Sequence, residues 1–194
     1  CNFKNKEYCI MRLSLARKII VEGIKKNVAQ TLTKPITFHL EGDMGIGKTA
    51  LAKQISSDIN FYLVIVSLPQ LEPTDVGGMR MPNGDRMTVL QPDWYVNAEQ
   101  MAKLKAEGYK GVLYFFDELP QSPVLNMNIF AQIADEYRIG EYVLDRSDCY
   151  VMSAGNKLSN KAGTNAMPTH LIDRLTFLEI EPNLDDTCNY FAKT

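Results

Sequence analysis

Eight consecutive residues carry the clearest chemistry. Gly42-Asp43-Met44-Gly45-Ile46-Gly47-Lys48-Thr49 fits the spacing GxxxxGK[ST], whose specified positions should coincide in only about one in a few hundred chains of this size. Glycines at these places let the backbone curl closely enough for its N–H groups to face phosphate oxygens. Lys48 is placed to reach β and γ phosphates, the Thr49 hydroxyl to ligate magnesium, and Ala50 closes the phosphate-binding set. Asp43 is the odd member, because a carboxylate repels phosphate. Its side chain should face solvent while its N–H is used.

A second pair, Asp117-Glu118, follows an almost wholly apolar run. Acids at the carboxyl end of a buried strand suit metal and water chemistry, with Asp117 in the magnesium shell and Glu118 as general base for an attacking water. The glutamate favours hydrolysis over phosphoryl transfer to a second substrate, which needs no activated water. Asn156-Lys157-Leu158-Ser159 approaches the guanine-reading NKxD pattern, but Ser159 stands where the aspartate would be.

These groups need elements to hold them. Apolar residues at Leu13, Ala16, Ile20, Ile24 and Val28 predict an amphipathic helix. Ile36–Leu40 reads as a strand entering the glycine-rich loop, a helix should run from about Thr49 to Asp58, and Phe61–Ser67 is a second strand. Between Leu71 and Trp94 the chain is turn-rich, and Asn83-Gly84 predicts a type I′ hairpin joining Met79–Met81 to Arg86–Val89, with Met79, Met81 and Met87 packed. A helix from about Ala98 to Glu107 leads to the strand Val112–Phe116. Ser122-Pro123 then reads as a helix cap and first turn, with a stripe of Leu125, Ile129, Ile133 and Tyr137 ended by Gly140. Tyr150–Ser153 and Thr176–Ile180 complete five strands alternating with helices, which specifies a three-layer α/β domain with a parallel sheet.

Composition agrees with one ordinary domain: 194 residues, 45% hydrophobic and 23% charged. A net charge of -2 supplies no field that would draw nucleic acid. Cys1, Cys9, Cys149 and Cys188 are scattered, so they point to neither a zinc site nor a disulfide framework, and a reducing cytoplasmic setting is expected. No apolar run approaches the ~20 residues of a membrane span. Residues 1–11 read as an extension, 12–182 as the nucleotide-binding domain, and 183–194 as the start of a new helical pattern.

The run FFDELPQSPVLNMNIFAQIADEYRIGEYVL, then VMSAGN, then PTHLIDRLTFLEIEP, with the earlier LPQLEPTDVGGMRMPNGDR, resembles the MoxR-type AAA+ ATPases and their phage-encoded relatives from about Ile36 to Glu181. The resemblance implies a P-loop domain with sheet order 5-1-4-3-2, a truncated helical lid at 183–194, ATP and magnesium as cofactors, and a homo-oligomeric ring, usually hexameric. It also implies roles for Asn156, as the polar sensor that orients water, and for Arg174, as a finger reaching the neighbouring subunit's nucleotide. Ser67 falls where the family often carries a polar partner of the glutamate, and the hairpin matches a typical insertion. Such ATPases remodel proteins, often beside a partner with a von Willebrand factor A domain. The short glycine-containing segment that frames adenine in the family is not evident here. Two other readings remain: a nucleotide-gated scaffold with little turnover, and a DNA-associated loader or helicase.

Overall fold

A computed structural model describes residues 10–157 and 165–182. The expectations for residues 1–9, for Leu158-Ser159 and for the lid at 183–194 lie outside the described residues.

Six strands form one parallel sheet: β1 (Ile10–Met11), β2 (Thr37–Glu41), β3 (Phe61–Ser67), β6 (Gly111–Asp117), β9 (Cys149–Gly155) and β10 (Leu175–Ile180), ordered β1-β10-β2-β9-β6-β3. The five expected strands therefore lie as fifth, first, fourth, third and second. The sixth, β1, takes in the last two residues of the segment read as an extension, pairing Ile10 with Glu179 and Met11 with Ile180.

Two helical layers cover the sheet because its central strands are apolar on both faces. In β6, Val112, Tyr114 and Phe116 enter one core while Leu113 and Phe115 enter the other, as the two-residue repeat of a strand requires. Helices α1 (Leu13–Val28) and α2 (Lys48–Ile59) close the second face with Ala16, Ile20, Ile24, Leu51, Ala52 and Ile55. Gly23 permits that packing, since a β-carbon there would sit 2.6 Å from the Phe38 ring. The first face is covered by α3 (Pro73–Gly77), α4 (Ala98–Ala106), α5 (Val124–Glu136) and α6 (Thr169–Ile172). Among the described residues no helix is long and apolar enough to cross a membrane.

Several local expectations are corrected by the structure. Strands β4 (Met79–Asn83) and β5 (Arg86–Leu90) pair Asn83 with Arg86, so Gly84-Asp85 forms the turn. Only Gly84 of the two has positive φ, at 61°, which is the type II′ pattern rather than type I′. The hairpin methionines do not pack: Met79, Met81 and Met87 are 49%, 41% and 55% exposed. Ser122 does not cap α5, because its buried hydroxyl donates to the Leu119 carbonyl in a 3-10 turn, leaving Pro123 at the cap. Leu125 is exposed, and the buried stripe instead comprises Met127, Phe130, Ala131, Ile133 and Ala134. Tyr137, not Gly140, ends α5 by turning left-handed at φ 50°. Its buried hydroxyl accepts from the Val151 amide and the Asn27 side chain, so tertiary bonds hold a conformation that a tyrosine disfavours. Gly140 instead lies between the short strands β7 (Arg138–Ile139) and β8 (Tyr142–Val143). This small hairpin props the first one, with Tyr142 Oη donating to the Val89 carbonyl at 2.7 Å.

Candidate functional site

Parallel pairing places the carboxyl ends of the central strands on one edge. Glu41 lies beside Gly155, and Ser67 beside Asp117. The loop after β2, the acidic pair after β6 and Asn156 after β9 thereby share the crevice where open α/β sheets expose ligand sites.

Within the loop, Gly45 and Gly47 take φ 80° and 94°, values that a β-carbon makes costly. Gly42 is constrained by space, since a β-carbon there would lie 2.3 Å from Ile46 Cδ1. Asp43, Met44 and Gly45 are exposed, and Ile46, Gly47, Thr49 and Ala50 are half-buried. Helix α2 starts at Lys48 with Gly47 as its cap, so the unpaired N–H groups of its first turn open toward the loop.

Buried Lys48 Nζ donates to the carbonyls of Gly42 and Asp43, both at 2.9 Å, and to Asn156 Oδ1 at 3.1 Å. Burial holds the ammonium below the ordinary lysine pKa, opposed by the charges of Asp117, Asp43 and Glu118. A phosphate entering this loop would supply an anionic acceptor that the carbonyls and amide do not. Thr49 Oγ1 donates to Asp117 Oδ2 at 2.8 Å, and the Glu118 amide donates to Asp117 Oδ1 at 2.9 Å. Both oxygens of Asp117 are thus engaged, which orients the carboxylate.

Glu118 sits exposed in the left-handed region at φ 58°, ψ 35°. Such a conformation costs a non-glycine residue on the order of 1 kcal/mol or more and is stored at functional sites. Among the described residues no group of three or more His, Cys, Asp or Glu is arranged to hold a metal ion by itself. Thr49 and Asp117 nevertheless fit a magnesium ion, which characteristically binds one or two protein oxygens and fills its shell with phosphate and water.

One expected residue stands apart. Arg174 precedes β10, whose first residue, Leu175, pairs with Thr37 at the start of β2. The length of β2, five residues at about 3.3 Å each or roughly 16 Å, separates that edge from the phosphate loop. Arg174 Nε instead donates to Asp135 Oδ2 at 2.9 Å, and Nη1 to the His170 carbonyl at 2.8 Å. Beside it is a cavity of about 400 Å³ lined in part by Lys34, Asp135, His170 and Asp173.

Gly155 is a residue that the motifs do not announce. A β-carbon there would lie 2.1 Å from Pro120 Cδ, so its small size lets the turn after Glu118 rest on the end of β9. The signal for it is a glycine inside an apolar strand, which often marks close approach of another backbone.

No protein-family profile matches the chain, and no curated protein is similar to it in sequence. Solved structures are similar in fold. Hsp104 in its closed state with ATPγS and FITC casein superposes with TM-score 0.62 at 17% identity, covering 90% of this chain and 34% of Hsp104. A point variant of Thermotoga maritima RuvB gives 0.50 at 16% identity, covering 87% and 46% respectively. A Cytophaga hutchinsonii protein provisionally described as an ATPase gives 0.51 at 17%, covering 93% and 56%. The chain thus spans between about a third and just over half of these proteins. Their likeness, with the observed sheet, gives this chain the three-layer α/β P-loop fold that these structures share.

Proposed function

We propose that this domain binds ATP with magnesium through Gly42–Ala50 and hydrolyses it, as a subunit of a MoxR-type AAA+ ring that remodels a partner protein. The observation that carries the reading is the convergence of Lys48, Thr49, Asp117 and Asn156, joined by side-chain bonds of 2.8 to 3.1 Å across three strand ends. Neighbour Hsp104 was captured with a nucleotide analogue and a protein, which agrees with this class of activity.

Lys48 and the first-turn amides of α2 hold the β and γ phosphates. A magnesium ion at this site would supply positive charge to offset the charge that develops on the phosphates. Thr49 and Asp117 would hold it. Asn156, which accepts a bond from Lys48, orients the water in this reading. Glu118 accepts a proton as that water's oxygen bonds to the γ phosphorus and the bond to ADP breaks, leaving ADP and inorganic phosphate. Arg174 is too far from this chain's own loop, so a role in transition-state charge neutralisation requires a second copy. A partner with a von Willebrand factor A domain is the expected companion.

Glu118→Gln tests the reading. In the full-length protein, ATP binding should persist while turnover falls at least about 100-fold, as loss of a general base implies. Remodelling that continues at the normal rate would overturn the motor reading in favour of a nucleotide-gated scaffold.

A further inference from the structure

The Arg174 side chain is clamped on two flanks rather than left to wander. A guanidinium has five N–H donors in a rigid fork. Asp135 takes the one on Nε, and the His170 carbonyl takes one on Nη1. Five minus two leaves three, including both on Nη2. The pair is 36% and 33% exposed, so the remaining donors stay open to an approaching molecule.

Both clamps come from well-held elements. Asp135 lies near the end of α5, where neighbouring Ala134 is buried and accepts a 3.0 Å bond from Thr37 Oγ1 at the start of β2. His170 belongs to α6, whose Leu171 is fully buried. Charge alone would not draw a phosphate here, because Asp135 and Asp173 balance Lys34 and Arg174 around the cavity. Orientation has to supply the selectivity.

We infer that Asp135 is a positioning residue for Arg174, holding its guanidinium so that the Nη2 edge is presented to an anionic group on a second copy of this chain. This rests on the proposed trans role of Arg174. An arginine that must otherwise be ordered at each encounter loses rotamer freedom, and a preformed fork avoids part of that loss.

The test measures ATP turnover of assembled full-length protein, for single variants and for mixtures with Lys48→Ala subunits. Lys48→Ala subunits keep the arginine but lack a working phosphate loop. Asp135→Ala should lower kcat about tenfold or more, a part of the roughly 1,000-fold or greater effect of a whole finger, while KM for ATP changes less than about threefold. Asp135→Asn, whose side-chain oxygen can still accept from Nε, should recover most of that loss. Mixing Asp135→Ala with Lys48→Ala should restore turnover, as should mixing Arg174→Ala with Lys48→Ala. Mixing Asp135→Ala with Arg174→Ala should not.

If Arg174→Ala is rescued by Lys48→Ala but Asp135→Ala turns over normally, the positioning role is wrong while the trans reading stands. An Asp135→Ala defect that Lys48→Ala subunits cannot rescue, or a lowered Tm with raised KM, shows a merely structural role and also overturns it. If Arg174→Ala is itself unimpaired or beyond rescue, the trans reading fails and the inference falls with it.

Discussion

The two edges of the central sheet hold polar side chains in different ways. At the carboxyl edge, Lys48 bonds to Asn156 and Thr49 to Asp117, two pairs that draw on three strand ends. At the amino edge, Arg174 and Asp135 form a half-exposed pair beside an open cavity. One edge is a nearly closed constellation, and the other presents donors outward. Because the strands are parallel, the length of β2 lies between them, and no side-chain motion within one chain brings the two together. If Arg174 acts on nucleotide as proposed, a second copy must bring it there.

The largest expected effect comes from removing the centre of the first edge. Lys48→Ala should weaken ATP binding about 10- to 100-fold, the worth of one charge-assisted bond at about 1.5–3 kcal/mol. Fluorescent-nucleotide titration measures this, and unchanged affinity would mean that the carboxyl edge is not the binding edge.

A smaller effect should follow from moving Glu118 without touching it. In Gly155→Ala the new methyl overlaps Pro120, 2.1 Å from its Cδ. Overpacking of this kind costs about 1–3 kcal/mol, so Tm should fall and any turnover with it. A variant as stable and active as the parent would show that the turn after Glu118 adapts freely. Least of all is expected at the β4–β5 hairpin, outside both edges. Met81, 41% exposed, should accept lysine with a stability change within about 0.5 kcal/mol in urea unfolding. A larger loss would mean that the hairpin is part of the packed body.

Much of this arrangement is legible in the amino-acid sequence. The strands of the sheet follow from short apolar runs, and the glycine-rich loop from glycine spacing directly after one of them, because both depend on neighbouring residues. Misreadings fall where a contact other than the expected one wins, close by at Ser122 and distant at Tyr137. Ser122 has the look of a helix cap, but the 3-10 turn after Glu118 captures its hydroxyl. Tyr137 ends α5 because Val151 and Asn27 bond its hydroxyl from remote parts of the chain. Leu125 fits the helical period yet faces outward, because which stripe of α5 is buried depends on how that helix sits against β6 and α3. Asp135 carries no signal at all, being an acid in an otherwise ordinary helix until Arg174, 39 residues later, is folded against it.

By itself, the sequence determined the chemical types at the site and the loop that would hold phosphate, since backbone conformation and helix starts obey local rules. Tertiary structure decided which of those groups meet. Lys48 reaches Asn156 across 108 residues and Thr49 reaches Asp117 across 68, contacts that exist only because β2, β9 and β6 pair in that order and register. The same parallel register sends Arg174 to the opposite edge, for the physical reason that a strand carries its two ends apart by its own length.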